Sequence, residues 1–348
     1  MTATQTLITG DAVFLGDDMA PEVQLEFRGL KVHFFTDEGV VKAADGVDLK
    51  VVRGKTTCIV GESGCGKSVM SLSALGIVQK PGRVVEGQIL WRRENGDVLD
   101  LAKLKRNGPE IRGIRGAEIA MIFQEPMTSL SPLYTIGSQI GEAILLHQGV
   151  SKQEARNRTI EILQKVRIPK PERLIDEYPF RLSGGMRQRA MIAMALSCTP
   201  SLLVADEPTT ALDVTTQAQI LDLMKELQAE FNMSIMLITH DLGVVAEMAD
   251  DVAVMYLGKV AEYSDVDTIF HNPQHPYTQA LLSSIPKISR ERERLDPIQG
   301  MVPSPFNRPK GCTFHPRCTK AMDRCRSVEP RLTALHAHHS VRCLLHED

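Results

Sequence analysis

The stretch TTCIVGESGCGKSVMSLSALGIV, residues 56–78, decides the fold. Its first five residues form a short apolar run of strand length, and the residues from Lys67 onward have helical character. Between them Gly61-Glu62-Ser63-Gly64-Cys65-Gly66-Lys67-Ser68 fits G-x-x-x-x-G-K-[ST] in the strand-turn-helix setting that this pattern requires. Gly61, Gly64 and Gly66 let the main-chain N–H groups of the loop, those of Ser63 and Cys65 included, curl around phosphates. The helix N-terminus adds its partial positive charge. Lys67 is placed to reach β and γ phosphates, and the Ser68 hydroxyl to bind Mg²⁺. A glycine turn with a chance lysine is the bland alternative, and the flanking strand and helix weigh against it.

Further along, SLLVADE (residues 201–207) supplies a complementary half. An apolar strand ending in Asp206 brings a carboxylate to the edge of a sheet beside the phosphate loop, where it can hold Mg²⁺ through water. Glu207 follows directly and is placed to orient or deprotonate an attacking water. Leu182-Ser183-Gly184-Gly185-Met186 precedes the helical RQRAMIAMALS. It reads either as a second anion cradle at a helix start or as Ser183 serving as an N-cap before flexible glycines.

Working outward, VQLEFRGLKVHFF and GVDLKVV alternate apolar and polar positions as half-buried strands do. From about 127 to 200 the spacing turns helical. Strands SLLVADE and SIMLITH then alternate with helices at 214–231 and 242–250, ahead of the strand pair VAVMYLGKVAEY. Such alternation predicts a largely parallel sheet with crossover helices. KISRERERLDPIQG and the prolines after it read as a linker to a small cysteine- and histidine-bearing module.

The 348 residues carry 43% hydrophobic and 24% charged side chains, ordinary globular values that exclude a disordered, collagenous or disulfide-scaffold chain. No run of about 18 apolar residues is present, so no membrane span is expected. The acidic opening MTATQTLITGDAVFLGDDMAPE lacks a basic n-region and reads as a loose tail rather than a secretory signal, which predicts a cytoplasmic location. A net charge of -3 gives no global case for binding nucleic acid.

The phosphate loop, Gln124 in IFQEP, LSGGM, VADEP, ALD at 211–213 and His240 in LITHD stand in the order found in ATP-binding cassette (ABC) ATPases, which the chain resembles over roughly residues 23–263. IFQEPMTSLSP, HNPQHPYTQALLSSIP and the terminal GCTFHPRC segment are similar, more narrowly, to the oligopeptide/dipeptide permease ATPases. The resemblance implies an α/β P-loop NTPase fold of the ABC nucleotide-binding type, with a mainly parallel core sheet, an antiparallel β subdomain and a helical subdomain. Its implied layout is a flexible tail at 1–22, the ATPase domain at 23–285 with the helical subdomain at about 127–200, and a C-terminal extension at 286–348.

It also implies roles for single residues. Gln124 would sense Mg²⁺ and the attacking water and link the site to a transmembrane partner, and His240 would bond the γ-phosphate and couple it to Glu207. Asp213 would line a dimer interface, although alone it reads as a helix N-cap. Phe34 is the candidate for stacking on adenine, with Phe35 nearly as plausible and a core role open for either. Two such ATPases would pair head to tail, so that Ser183, Gly184, Gly185 and Asp213 act on the partner's nucleotide. Met186 departs from the commoner Gln of that motif and leaves its Ser-Gly-Gly intact.

Cys312, Cys318, Cys325 and Cys343 are spaced C-x5-C-x6-C-x17-C. Four thiolates suit tetrahedral zinc or the corners of an iron–sulfur cluster, and the wide gaps weigh against zinc. The permease resemblance favours a [4Fe–4S] cluster, with zinc or no metal as the alternatives. The expected protein is thus the ATP-hydrolysing subunit of a peptide importer at the cytoplasmic face of the membrane. Its partners would be a second, related ATPase, two transmembrane permeases and an extracytoplasmic binding protein. The competing expectation is a soluble cassette ATPase of DNA repair or translation with a metal-binding tail.

Overall fold

The computed structural model describes residues 19–124, 129–210, 212–285 and 298–347, together with the backbone of residues 8–9 and 12–15. Strands β1 (Ile8–Thr9), β2 (Ala12–Leu15), β3 (Val23–Thr36) and β4 (Gly39–Val52) lead to β5 (Thr56–Val60) and helix α1 (Lys67–Ala74). Then come β6 (Gly82–Arg92), β7 (Val98–Asp100), the short helix α2 (Pro109–Ile114) and β8 (Ile119–Ile122). A helical stretch holds α3 (Ile136–Gln148), α4 (Lys152–Lys165), α5 (Pro171–Leu174) and α6 (Gly184–Leu196). The chain continues through β9 (Leu202–Asp206), α7 (Val214–Phe231), β10 (Ser234–Ile238), α8 (Leu242–Met248), β11 (Asp251–Tyr256) and β12 (Lys259–Asp265). Helices α9 (Val266–His271) and α10 (Pro276–Ser283) and the hairpin β13 (Thr333–His336) to β14 (His339–Val341) complete it.

The central sheet has the order β13-β14-β12-β11-β5-β10-β9-β8. Its β8, β9, β10, β5 and β11 run parallel, and the strands beyond β11 are antiparallel. Every residue of β5, β9 and β10 is buried, which explains why these strands read as unbroken apolar runs and not as alternations. Their side chains alternate between two cores. Cys58, Val60, Leu203, Ala205, Ile235 and Leu237 pack with the helical stretch, while Ile59, Leu202, Val204, Met236 and Ile238 pack with the second sheet. That second sheet is antiparallel, ordered β1-β2-β7-β6-β3-β4, and is built on the long β3–β4 hairpin. The helices are capped by side chains of suitable chemistry: Thr135, Ser151, Ser183, Asp213, Asp241 and Asp265 each accept from an N–H of the first turn.

Two expectations need correction. The N-terminal tail is not wholly loose, because β2 pairs antiparallel with β7 (Phe14 opposite Leu99, Leu15 opposite Val98) and so covers an otherwise open sheet edge. Residues 1–7, 10–11 and 16–18 lie outside the described set. The C-terminal piece is not a free-standing module either. Strand β14 joins the central sheet beside β12, with Glu262 opposite Val341 and Tyr263 opposite Ser340. Most of the presumed linker, residues 286–297, lies outside the described residues.

Phe314 anchors the extension to the core. It is 2% exposed and meets Tyr256 edge-on at 5.2 Å and Tyr277 at 5.3 Å between ring centroids. Phe314→Ala should cost about 3–5 kcal/mol and lower the denaturation midpoint of the whole chain. A loss below about 1 kcal/mol would show that the extension is not part of the core.

Candidate functional site

Strand β5 ends under a loop that only glycine can form. Gly61, Gly64 and Gly66 have φ of 151°, 78° and 101°. A Cβ on Gly61 would lie 2.1 Å from the Met255 carbonyl oxygen, and one on Gly66 2.0 Å from that of Ala43. The loop is thus wedged between β11 and the β4 strand, and it enters α1 with Gly66 at a cap position that has no side-chain cap. The first N–H groups of α1 are therefore left for an anion. Lys67, 6% exposed, donates from Nζ to the carbonyl oxygens of Gly61 (2.7 Å) and Glu62 (3.2 Å) and lies 3.7 Å from Cys65 Sγ. Ser63, Gly64, Gly66, Lys67 and Ser68 line an open cleft whose far wall includes Gln124 and Glu207.

The acidic pair closes the other side. Asp206, 4% exposed at the end of β9, has a buried Oδ1 with no hydrogen-bond partner. Burial raises its pKa and the Glu207 charge adds to the rise, against the Ser68 hydroxyl and Lys67, which lower it. A buried carboxylate oxygen left unpaired beside a serine hydroxyl suits a hard divalent cation such as Mg²⁺. Glu207 sits in the left-handed region at φ 47°, an unfavourable conformation for a residue with a side chain and one that clusters at functional sites. That turn aims its carboxylate into the cleft. Oε1 lies 3.0 Å from His240 Nδ1, and Oε2 accepts from Gln124 Nε2 (3.0 Å) and Thr210 Oγ1 (3.0 Å). Burial opposes ionisation of Glu207, but the bonds from His240 and Thr210 outweigh it and hold the carboxyl below its usual range. The group is therefore a carboxylate at neutral pH.

The structure thus gathers Lys67, Ser68, Gln124, Asp206, Glu207 and His240 from four separate segments. It adds Thr210, which sequence reading missed although it lies two residues past VADEP, and Ala43, for which no pattern exists. Glu125 and Pro126 of IFQEP and Ala211 of ALD lie outside the described residues.

Other expected residues lie elsewhere. Ser183 caps α6, its hydroxyl accepting from Met186 N–H at 3.3 Å, with Gly184 and Gly185 in the first turn. Asp213 caps α7, accepting from Thr216 N–H (3.0 Å) and Oγ1 (2.7 Å), and these bonds lower its pKa. A Cβ on Gly185 would lie 3.1 Å from Thr216 Cγ2, so the two caps are neighbours. Neither touches the cleft of its own chain among the lining residues. Phe34 is half-buried, with its ring packed over Gly82, where a Cβ would meet it at 2.6 Å. Phe35 is exposed, and the Arg83 guanidinium lies 4.4 Å from its ring centroid.

The four C-terminal cysteines are free thiols, Cys325 and Cys343 buried, Cys312 and Cys318 half-buried. They share one neighbourhood: burial, then the proximity of Cys325, Cys343 and Cys318, pushes the Cys312 thiol up to about 11. Among the described residues no three His, Cys, Asp or Glu are grouped to hold one metal ion. Tetrahedral zinc with Zn–S near 2.3 Å needs sulfurs roughly 3.8 Å apart, so the thiols as they stand do not make a zinc site.

Comparison with known proteins covers nearly the whole chain. The sequence model of the ABC transporter family matches residues 44–210, and that of the oligopeptide/dipeptide transporter C-terminal region matches residues 261–325. The oligopeptide transport ATP-binding protein AppD of Bacillus subtilis is 52% identical over 93% of this chain and 97% of its own. The dipeptide transport ATP-binding protein DppD of Escherichia coli is 50% identical over 90% of this chain and 94% of its own. Among solved structures, a dimeric ATP-binding cassette in a post-hydrolysis state with ADP and Pi aligns at TM-score 0.59 and 28% identity, over 70% of this chain and 98% of its own. CbiO1 of Clostridium perfringens, part of an ABC transporter complex, aligns at TM-score 0.60 and 26% identity, over 72% of this chain and 92% of its own.

The Asp206 environment carries a pH signature. Its pKa is raised and a cation needs the carboxylate, so Mg²⁺ binding should weaken, with growing proton release, as pH falls toward and through that raised pKa. Calorimetry of Mg²⁺-nucleotide binding in buffers of different ionisation enthalpy checks this. Mg²⁺ affinity and binding enthalpy that show no buffer or pH dependence as the pH is lowered step by step into the acid range would remove Asp206 from the cation site.

Proposed function

The chain belongs to the ABC transporter family, in the branch of oligopeptide and dipeptide transport ATP-binding proteins, and on that premise we propose that it hydrolyses ATP to drive peptide import through membrane-embedded permease partners. The observation that carries the catalytic reading is the Glu207 carboxylate, kept ionised and aimed across the cleft at the phosphate loop by His240, Gln124 and Thr210. A soluble cassette of DNA repair or translation has no support once relatives in peptide transport align along nine-tenths of the chain.

In this reading the N–H groups of residues 61–68 and the start of α1 cradle the phosphates. Lys67 leaves its two loop carbonyls to meet the β and γ oxygens. Ser68 and Asp206 would hold Mg²⁺, which when bound would neutralise phosphate charge. Glu207 accepts a hydrogen bond from the attacking water and takes its proton as the oxygen approaches the γ-phosphorus. His240, bonded to Glu207 through Nδ1, turns Nε2 toward a γ-phosphate oxygen and donates to it when the ring carries both protons. Phe34, with Phe35 beside it, serves the adenine side.

Ser183, Gly184, Gly185 and Asp213 form a second patch away from their own chain's cleft, which suits a head-to-tail pair in which each patch closes the partner's site. The dimeric state of the similar solved cassette supports that arrangement. The second cassette is a related, non-identical chain in this proposal, joined by two permeases and an extracytoplasmic binding protein, with no nucleic acid. No helix among the described residues is long and apolar enough to cross a membrane, so attachment to the cytoplasmic face runs through the permeases. The domain layout proposed is the cassette at 23–285 and the extension at 286–348.

For the cysteines we propose a [4Fe–4S] cluster held by Cys312, Cys318, Cys325 and Cys343. The support is four free thiols, three of which raise the pKa of the fourth and so lie near it, at the C-x5-C-x6-C-x17-C spacing. Its part would be structural or regulatory, since phosphoryl transfer to water needs no electron.

Glu207→Gln should lower turnover by at least about 10²-fold while MgATP still binds. Steady-state hydrolysis and equilibrium binding check it, and near-normal turnover would remove Glu207 from its role. Protein purified without oxygen should contain iron and absorb broadly in the visible. Absence of both would dismiss the cluster.

A further inference from the structure

The C-terminal extension reaches the phosphate loop itself. Arg317 lies between Cys312 and Cys318, three residues past the Phe314 anchor, and its side chain is 4% exposed. Its guanidinium grips Glu62 with a fork, Nη1 to Oε2 at 2.6 Å and Nη2 to Oε1 at 3.0 Å. The fork is itself fixed: Nε donates to the Gln299 carbonyl (3.2 Å), and Nη1 also donates to the Tyr256 hydroxyl (3.4 Å). The main chain of Glu62 is held from the same side, its N–H donating to the Tyr277 hydroxyl at 3.0 Å. The Glu62 carbonyl in turn accepts from Lys67 Nζ.

A carboxylate in a loop that must cradle a polyanion works against binding unless something neutralises it and draws it aside. An exposed lysine could supply charge. It would not supply a planar, two-point grip from a buried position. Packing alone would be served as well by an apolar residue at 317, because a buried ion pair is seldom a net gain in stability over a well-packed isostere.

We propose that Arg317 is a positioning residue of the ATP site, neutralising Glu62 and holding it away from the phosphates, so that the cysteine-bearing extension forms part of the nucleotide cradle. The proposal rests on the reading of residues 61–68 as that cradle.

The test uses the full-length chain and MgATP, with binding read by calorimetry and hydrolysis by steady-state kinetics. Arg317→Met should raise the Kd and KM for MgATP about tenfold, the effect of one unscreened charge near the phosphates, with kcat at saturation altered less than about twofold. Adding Glu62→Gln to that variant should restore most of the affinity, since the repelling charge is gone. Unchanged affinity in Arg317→Met, or a double variant that binds more weakly than Arg317→Met, overturns the proposal. Should Arg317→Met fail to fold, Glu62→Gln alone decides. It leaves the Arg317 charge free to attract phosphate and should bind MgATP at least as tightly as the unaltered chain, and weaker binding overturns the proposal. Lys67→Ala separates the two readings. Normal ATP binding in that variant removes the cradle, whereas lost binding there with an unmoved Arg317→Met removes only the role of Arg317.

Discussion

The turn from β5 into α1 is the constraint on which the remaining structure depends. Its main chain passes so close to the Met255 and Ala43 carbonyls that Gly61 and Gly66 can carry no side chain. Two other parts of the chain must therefore stand at fixed distances from it: β11, bearing Met255, and the β3–β4 hairpin, bearing Ala43. The parallel register of β5 with β10, and of β10 with β9, then carries Asp206 and Glu207 to the same end of the sheet as the loop. The chemistry follows from this geometry. An anion cradle whose own carboxylate, Glu62, is paired with Arg317 faces the Glu207 carboxylate, held ionised on the other side.

What could be read from the sequence was whatever is local. The strand, glycine turn and helix at 56–78 form one continuous stretch, and the acidic pair at 206–207 and the caps Ser183 and Asp213 are each written within a few residues. The order of six such motifs was enough to place the family. The bounds of α7 are the expected 214–231, and the structure ends it with Asn232 in the left-handed region. Long-range features were not legible. Nothing in AVFL at 12–15 says that it will pair with β7, because pairing depends on an open edge elsewhere in the fold. Nothing near Glu207 announces its left-handed backbone or its bond to Thr210, since both arise from how the loop after β9 is held. Phe34 and Phe35 are indistinguishable as letters, and only the pleat of β3 turns one ring toward Gly82 and the other toward Arg83.

The extension shows the same limit more sharply. Its cysteines suggested an appendage stapled by metal, whereas the structure ties it to the core by several other means. Strand β14 extends the central sheet, Phe314 enters the aromatic group of Tyr256 and Tyr277, and His339 Nε2 lies 2.8 Å from the buried Glu262. Arg308 adds a link to Asp45 at 3.3 Å on the β3–β4 hairpin. The Arg317–Glu62 pair spans 255 residues of sequence and is invisible to any local pattern. A segment bound in this way at the loop, at the hairpin and at the sheet edge is part of the motor and not a decoration on it.

The central claim is that ATP consumed at this cleft moves peptide across a membrane. Peptide accumulation in proteoliposomes is its most direct measure. The vesicles would carry this chain with its permeases and second cassette, loaded binding protein outside and MgATP within. The account predicts accumulation that requires ATP in the lumen and ceases when a non-hydrolysable analogue replaces it. Steady ATP hydrolysis with no peptide entering, or entry that proceeds unchanged with the analogue, would contradict it.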